Sequence, residues 1–200
     1  MADFVYLASQ SPRRRQLLEQ LGVRYKLLLP DSGEDAEALE VALKNELPAA
    51  YVKRVTGLKL DAAIARLMQR KLPPARILCS DTTVALGRVI YGKPDDAGDA
   101  QRMLGELAGN MHRVLTAVAV QQGQNRFEAL STSRVSFEPM TAAQIQDYVA
   151  TGEPMGKAGA YAIQGRVAMH ITRISGSYSG IMGLPLWETA SLLQASGLTI

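Results

Sequence analysis

Residues 112–138 read HRVLTAVAVQQ, then GQN, then RFEALSTSRVSFE. This segment decides whether the α/β fold has an all-parallel or a mixed sheet. Two long runs rich in apolar and β-branched residues flank the polar turn at 123–125, a pattern that predicts an antiparallel hairpin. A sheet whose strands are all parallel contains no such hairpin, because its strands are joined by crossover connections. We therefore predict a mixed central sheet.

Strand and helix patterns alternate on the amino-terminal side of this hairpin. Ser11 is a typical N-cap and Pro12 suits the first position of a helix, so a helix is predicted soon after the first strand. Gly22 then provides a C-terminal stop for that helix. The predicted strands cover residues 4–8, 23–29 and 76–80, the predicted helices cover 12–21, 51–69 and 97–107, and a tight hairpin covers 84–92.

On the carboxyl-terminal side, Thr141 and Gln144 form a capping-box pattern that begins a helix ending near residue 150. A glycine-rich segment follows. The remaining predictions are a strand at 167–174, a loop at 175–180 and a helix at 184–195. Because neither a repeat nor a linker composition interrupts the chain, we predict one domain over residues 1–200, with an α/β fold whose mixed central sheet is flanked by helices.

The charge balance argues against nucleic acid and membranes as partners. The chain has 22 basic and 19 acidic residues spread along its length, a formal net charge of +3. No apolar run approaches the roughly 18 residues of a membrane span, and the run at 4–8 precedes its positive charges, the wrong order for a signal peptide. The single cysteine, Cys79, excludes an internal disulfide framework and fits a reducing compartment. We expect a cytoplasmic protein.

The segment SQSPRRR at 9–15 places three consecutive arginines where a strand ends and a helix begins. They admit three interpretations: a solvated helix face, a nucleic-acid patch or a phosphate clamp. Three cations in the first turn of a helix oppose its dipole, an arrangement that is easier to explain if an anion binds there. Side chains 13, 14 and 15 point about 100° apart, so only one or two of them can face the same ligand.

Four further residues are considered, from their local sequence alone, as catalytic, metal-binding or phosphate-binding residues. Asp81 follows RILCS, and we place it at the end of that strand, as a base, a metal ligand or a turn cap. Lys93 in GKP is either a surface amine or a point charge that reaches a phosphate. Glu34 lies in an acidic loop whose members are usually solvated, although Mg²⁺ on a polyphosphate needs only one or two protein carboxylates. Lys59 has the pattern of a surface residue.

Several common catalytic and nucleotide-binding motifs do not occur in the chain. It contains no G-x-S-x-G, no G-x-x-x-x-G-K-[ST] and no G-x-G-x-x-G. Cys79 lies in an apolar strand, where a buried and inert thiol is expected. His112 and His170 are expected to be structural, because a lone histidine usually is. The familiar nucleophile elbow and the two commonest phosphate-binding loops are thereby excluded.

Six segments occur in an order that covers almost the whole chain. They are LASQSPRRRQLLEQLG at 7–22, SDTTV at 80–84, GKP at 92–94, DAQRMLGELAGNMHRVLTAVAV at 99–120, GKAGAYAIQG at 156–165 and SGSYSGIMGLPLWE at 175–188. Any one of them is a weak signal, but the ordered set is specific. Together they resemble the Maf-like nucleoside triphosphate pyrophosphatases.

The resemblance implies a fold related to the inosine triphosphate pyrophosphatases, with a cleft between two lobes and frequent homodimers. It implies hydrolysis of a nucleoside triphosphate to the monophosphate and pyrophosphate with a divalent cation, Mg²⁺ or Mn²⁺. By motif, Asp81 matches the proton acceptor and a metal ligand, with Glu34 as another ligand. The positions that help to select the base are Arg13, Thr82 and Gln164, and those expected to bind phosphate are Ser9, Arg14, Lys59 and Lys93.

YAIQG and GSYS resemble most the subgroup that acts on dTTP and UTP. The 7-methyl-GTP subgroup, which is the alternative, tends to carry Trp where this chain has Arg13. A different class of function also stays open, a nucleotide-binding regulator of cell division with incidental hydrolysis. The chain departs from the family pattern at Gly33. The family often has an Asp at this position, directly before the loop Glu, and we expect Asp35 to take the place of that missing carboxylate. The chain also departs from the pattern at 36–50, a stretch that is longer than usual and has no functional account.

Overall fold

The computed structural model describes residues 3–31, 33–34 and 38–200. Within them, seven strands form one sheet flanked by six α-helices. The strands are β1 Val5–Leu7, β2 Tyr25–Leu27, β3 Arg76–Leu86, β4 Val89–Tyr91, β5 Met111–Gln122, β6 Asn125–Phe137 and β7 Ile171–Ser175. The helices are α1 Pro12–Gln20, α2 Pro48–Gln69, α3 Ala97–Leu107, α4 Ala142–Val149, α5 Tyr178–Met182 and α6 Leu186–Ala195, and three 3₁₀ segments cover 38–40, 158–160 and 166–170. None of the helices in this part of the chain combines the length and the apolar character that crossing a membrane requires.

The sheet is mixed, as the central hairpin predicts. Its strand order is β2-β1-β3-β5-β6-β7, with β4 beside β3. β1 pairs in parallel with β2 and β3, whereas the pairs β3–β4, β3–β5, β5–β6 and β6–β7 are antiparallel. β5 and β6 pair from Met111 opposite Ser136 to Gln122 opposite Asn125. Gly123 in their turn has a φ of 56°, the left-handed conformation that suits a two-residue hairpin turn.

The predicted end of β3 before Asp81 is wrong. β5 pairs with β3 from Ile77 to Ala85, and the strand continues to Leu86. Asp81 therefore lies in the middle of a long strand. Whether an apolar segment ends or continues as a strand depends on its pairing partner, which local propensity does not specify.

The carboxyl-terminal part needs two further corrections. Residues 166–170 form a 3₁₀ segment, and the predicted strand begins only at Ile171, as β7. The predicted loop at 175–180 contains the start of α5, whose N-cap Ser177 accepts a hydrogen bond from the backbone N–H of Gly180 at 3.0 Å. A serine cap of this kind satisfies a free amide and stabilises even a short helix.

One edge of β3 is open in its middle. β5 covers the opposite edge, whereas on this edge β1 pairs with residues 76–78 and β4 pairs with 84–86. Among the described strands, none pairs with 79–83 on this side. Because successive side chains of a strand point to opposite faces of the sheet, a molecule that lies across the opening can contact side chains from both faces.

The apolar core is divided between the two sides of this opening. One cluster packs α3, α4 and residues 160–163 against β4 and the nearby parts of β5 and β6. Other clusters pack α1, α2 and α6 against β1 and the first half of β3. A cleft between these clusters agrees with the two-lobed fold that the resemblance implies.

Candidate active site

A cleft of about 630 Å³ lies over the open edge of β3. Its walls come from the β1–α1 connection, from α2, from the middle of β3, from the turn after β4 and from residues 156–164. All nine site residues predicted from the sequence line this cleft: Ser9, Arg13, Arg14, Glu34, Lys59, Asp81, Thr82, Lys93 and Gln164. Segments that are far apart along the chain therefore converge on one site.

Arg14 is fixed by three hydrogen bonds. Its Nε donates to the carbonyl oxygen of Gly183 at 2.7 Å, Nη1 donates to Oγ of Ser9 at 3.3 Å, and Nη2 donates to Oγ1 of Thr82 at 3.4 Å. Burial lowers the pKa of Arg14, while Asp81 acts in the opposite direction. A guanidinium remains charged at physiological pH even so, and this one has a fixed orientation at the wall of the cleft.

The three arginines of SQSPRRR have different positions. Ser11 caps α1 by accepting a hydrogen bond from the backbone N–H of Arg14 at 3.4 Å. Arg13 also lines the cleft, and its Nε donates to the carbonyl oxygen of Met182 at 3.4 Å. Arg15 is not among the lining residues. The solvated-face interpretation is therefore wrong for Arg13 and Arg14, whose side chains are directed to the cleft and to the end of α5.

Asp81 and Thr82 lie on opposite faces of the sheet. Oδ1 of Asp81 accepts a hydrogen bond from Nζ of Lys59 on α2 at 2.5 Å, and the aspartate side chain is only 9% exposed. Thr82 contacts Arg14 on the other face, and its Oγ1 lies 3.0 Å from Oγ1 of Thr116. Lys59 is thus a cleft residue, in agreement with the resemblance and not with its surface-like pattern.

Glu40 is a cleft residue that no sequence pattern indicates. Its Oε1 lies 2.7 Å from Nζ of Lys59, and its Oε2 lies 3.2 Å from Nζ of Lys93. Burial opposes the ionisation of Glu40, but the two lysines outweigh it and hold the pKa of that carboxyl below its usual value. In sequence, Glu40 is one of several acids in a loop whose acids are usually solvated, so its neighbours alone do not distinguish it.

Glu34 lies in the cleft but is bound by an arginine. Nε and Nη2 of Arg66 donate to its two carboxylate oxygens at 3.0 and 2.5 Å, and Nη1 of Arg66 donates to the carbonyl oxygen of Leu28 at 3.0 Å. This fork lowers the pKa of Glu34 to about 2. Glu34 as a metal ligand stays a prediction, and Asp35, named as its substitute, lies outside the described residues.

The remaining wall is residues 156–164, between α4 and the 3₁₀ segment at 166–170. Gln164 is exposed and lines the cleft. Lys157 lines it as well, although its sequence context does not single it out, and burial together with nearby Arg13 lowers its pKa. This wall thus adds a cation and an exposed amide to the face that carries Arg13.

His112 supports that wall from beneath and is structural, as expected. Its Nε2 lies 2.8 Å from the hydroxyl of Tyr161, which lines the cleft, and both rings pack edge to face with Phe137. Burial lowers the pKa of His112 to about 4, so the ring is neutral at physiological pH. Cys79 is also inert as expected, since burial raises the pKa of its thiol to about 12.

The donor set of the cleft is compatible with a divalent cation that takes most of its ligands from water and phosphate. In the described part of the chain, no group of three or more His, Cys, Asp or Glu side chains is arranged to hold a metal. Asp81, Glu40 and Glu34 nevertheless offer hard carboxylate oxygens beside lysine and arginine side chains. Mg²⁺ and Mn²⁺ prefer such oxygens, and Mg²⁺ uses one or two protein carboxylates when it binds a phosphorylated substrate.

Comparisons with a family model and with individual known proteins point to the same family. A family model described as Maf-like protein matches residues 4–196. A dTTP/UTP pyrophosphatase of Polaromonas sp. is 73% identical over 199 residues, which cover 100% of this chain and 98% of that protein. Proteins of the same name from Albidiferax ferrireducens and Cupriavidus pinatubonensis are 66% and 62% identical, and the alignments cover at least 99% of each chain.

Proposed function

The chain belongs to the Maf-like protein family, and on that premise we propose that it hydrolyses dTTP and UTP to the nucleoside monophosphate and pyrophosphate. The observation that carries the proposal is the convergence of Asp81 with Arg14, Lys59 and Lys93 in one cleft. A buried carboxylate among fixed cations suits the attack of water on a phosphoanhydride. The names of the similar proteins support the choice of dTTP and UTP.

Asp81 acts as the proton acceptor. It is held on the face of β3 that meets α2, next to the open strand edge, where it can orient a water molecule toward the α-phosphorus. Charge then develops on the phosphate oxygens, and cations already in place stabilise it without reorganising. Arg14, Lys59 and Lys93 supply those charges.

A divalent cation, Mg²⁺ or Mn²⁺, would be held by Asp81 together with a second carboxylate of the cleft. When bound, it neutralises phosphate oxygens and polarises the phosphorus. The lysines beside these carboxylates would then be able to contact the outer phosphates. The negative charge of the triphosphate would thus be neutralised partly by the side chains of the cleft and partly by the cation.

Arg13, Thr82 and Gln164 select the base. They lie toward the wall formed by α1, the end of α5 and residues 156–164, away from the contact between Asp81 and Lys59. The amide of Gln164 offers a donor and an acceptor, which match the alternating polar groups on the edge of a pyrimidine. Arg13 stands where the 7-methyl-GTP subgroup tends to have Trp, which favours a pyrimidine over that purine.

The proposal is tested by a panel of canonical and modified nucleoside triphosphates, assayed for pyrophosphate release with Mg²⁺ or Mn²⁺. We expect the highest kcat/KM with dTTP and UTP. Preference for 7-methyl-GTP contradicts the choice of substrate. Tight binding of dTTP and UTP without any turnover contradicts hydrolysis and favours a regulatory role.

A further inference from the structure

Glu153 precedes the wall at residues 156–164 and is not among the residues that line the cleft. Its backbone is attached to the end of α4. The N–H of Glu153 donates to Oγ1 of Thr151 at 3.1 Å, and the hydroxyl of Thr151 donates to the carbonyl oxygen of Tyr148 at 2.6 Å. Because α4 packs against α3 in the core, Glu153 has a fixed place in the fold.

Glu153 holds both ends of the segment 157–166. Its carbonyl oxygen accepts a hydrogen bond from Nζ of Lys157. Its Oε2 accepts one from the backbone N–H of Arg166 at 3.2 Å, and its Oε1 accepts one from the hydroxyl of Tyr148 at 2.7 Å. Burial, together with this last hydrogen bond, raises the pKa of Tyr148, so the hydroxyl remains a donor at neutral pH. One glutamate thus binds the residue that begins the segment and the residue that ends it.

Gly165 brings the backbone of the segment into direct contact with the carboxylate of Glu153. A Cβ built on Gly165 would overlap Oε1 of Glu153 and would lie 2.7 Å from Oε2. The backbone at Gly165 has a φ of −95°, which L residues adopt readily, so its conformation does not require glycine. A glycine is needed at this position because the carboxylate occupies the place of a side chain.

Gln164 immediately precedes this contact. Its side chain is exposed in the cleft, and in the described part of the chain no side-chain hydrogen bond fixes it. The place of the amide is therefore set by the backbone that carries it. The N–H of Gly165 donates to the carbonyl oxygen of Ala162 at 2.8 Å, and the next N–H, that of Arg166, donates to Glu153. The carboxyl-terminal side of Gln164 is thus held by two successive amides, one of them bound to Glu153.

The amino-terminal half of the wall is held by other contacts. The N–H of Gly159 donates to the carbonyl oxygen of Gly92 at 2.9 Å, and a Cβ on Gly159 would lie 2.9 Å from the side chain of Val84 on β3. Removal of the carboxylate of Glu153 should therefore leave this half in place and release the half that carries Gln164.

We infer that Glu153 is a positioning residue that sets the place of Gln164, and through it the preference for the base, from outside the cleft. The inference rests on the proposed function in one respect, because it takes from it the assignment of Gln164 to base selection. The residues proposed to bind phosphate lie on other elements. The contribution of Glu153 is therefore to recognition of the nucleoside and not of the phosphate chain.

The first test separates the base from the phosphates. Titration calorimetry in EDTA compares a non-hydrolysable UTP analogue with inorganic tripolyphosphate, in wild type and in Glu153→Ala. We expect the variant to bind the analogue about tenfold more weakly, as for one lost hydrogen bond, and tripolyphosphate within about twofold of wild type. In a Gln164→Ala background, Glu153→Ala should have little further effect on the analogue, because the residue through which it acts is absent.

The second test needs no ligand. Amide hydrogen exchange, followed by mass spectrometry, should become faster at residues 161–166 in Glu153→Ala and stay unchanged in β6. Gly165→Ala should lower the urea midpoint of unfolding of the wild-type protein, because the new Cβ meets the carboxylate. The same substitution should lower the midpoint much less in Glu153→Ala, where that carboxylate is gone.

Two further variants keep the result specific. Asp147→Ala removes an exposed carboxyl from α4 next to Tyr148, and we expect it to match wild type in every measurement. Tyr148→Phe removes only the hydroxyl that donates to Glu153. We expect it to weaken binding of the UTP analogue less than Glu153→Ala does and to leave tripolyphosphate binding unchanged, and it serves as the test if Glu153→Ala does not fold.

The inference is overturned if Glu153→Ala weakens the analogue and tripolyphosphate equally, as a general structural defect would, or if exchange at 161–166 does not change. It is also overturned if Gly165→Ala lowers the unfolding midpoint equally with and without the carboxylate of Glu153. A wild-type protein that binds the analogue no more tightly than tripolyphosphate contradicts the proposed function instead. The exchange and unfolding measurements then still decide whether Glu153 orders the wall.

Discussion

Nε of Arg14 donates a hydrogen bond to the carbonyl oxygen of Gly183 at 2.7 Å, which joins the first turn of α1 to the end of α5. Gly183 has a φ of 118°, a conformation that L side chains rarely adopt, and a Cβ there would lie 3.4 Å from Nε of Arg14. Gly183 thus allows the guanidinium to pack closely against the chain. The other guanidinium nitrogens are then directed to Ser9 and Thr82.

The first prediction concerns this guanidinium. Arg14→Lys keeps the positive charge but loses the fork that contacts Gly183, Ser9 and Thr82 together, so we expect kcat/KM for UTP to fall on the order of 10²-fold. Arg15→Lys, outside the cleft lining, is the matched control and should retain wild-type kinetics. Equal effects of the two substitutions would show that position in the cleft does not matter.

The second prediction concerns the proton acceptor. Asp81→Asn removes the base but keeps the size of the side chain, so we expect kcat to fall by about 10²- to 10⁴-fold. Binding of a non-hydrolysable UTP analogue, measured by calorimetry in EDTA, should be largely retained, because the phosphate-binding cations remain. Turnover at the wild-type rate would remove Asp81 from the role assigned to it.

The third prediction concerns base selection. Gln164→Glu removes the amide donor, so we expect kcat/KM for dTTP and UTP to fall by about tenfold, with a smaller effect on triphosphates whose base lacks the matching acceptor. Gln69→Glu makes the same chemical change at an exposed site on α2 outside the cleft lining and is the control. If the ratio of UTP to 7-methyl-GTP activity stays constant in Gln164→Glu, Gln164 does not read the base.

The fourth prediction concerns stability and pH. Burial lowers the pKa of His112 from 6.5 to about 4, and its Nδ1 is buried without a hydrogen-bond partner. The unfolded chain therefore takes up a proton at this ring before the folded chain does, so stability present above pH 6.5 is lost as the pH falls toward 4. The loss is on the order of 3 kcal/mol. His112→Gln should lack this contribution.

The measurement for His112 is urea unfolding of wild type and His112→Gln over that pH range. We expect the difference in the free energy of unfolding between the two proteins to shrink as the pH falls. A difference that is constant with pH would show that the histidine is not held neutral by its buried position.

Short-range patterns predict much of the fold. The N-cap of α1 at Ser11 and the capping box at Thr141 and Gln144 are confirmed, because these motifs depend on hydrogen bonds within four residues. The central hairpin is confirmed for the same reason, since a turn and two flanking strands carry its signal. The extent of β3 was not predictable, because β5 lengthens it through pairing with residues distant in the chain.

In the candidate site, too, some residues could be predicted from the sequence and others depend on contacts between distant parts of the chain. The nine residues predicted for it meet in one cleft because a resemblance across the whole chain carries information on tertiary structure that single motifs lack. Lys59 has a surface-like pattern in its own sequence context, and it is the resemblance that places it in the site, where it contacts Asp81. Glu40 is one of several acids in its part of the sequence, and only its contacts with Lys59 and Lys93 distinguish it.

The central claim is that water attacks the α-phosphorus of a pyrimidine nucleoside triphosphate with Asp81 as the proton acceptor. It is tested most directly by hydrolysing UTP in water enriched in heavy oxygen and analysing both products by mass spectrometry. We expect the label in UMP and unlabelled pyrophosphate, with label incorporation nearly abolished in Asp81→Asn. Label in pyrophosphate, or release of UDP and phosphate, would contradict the account.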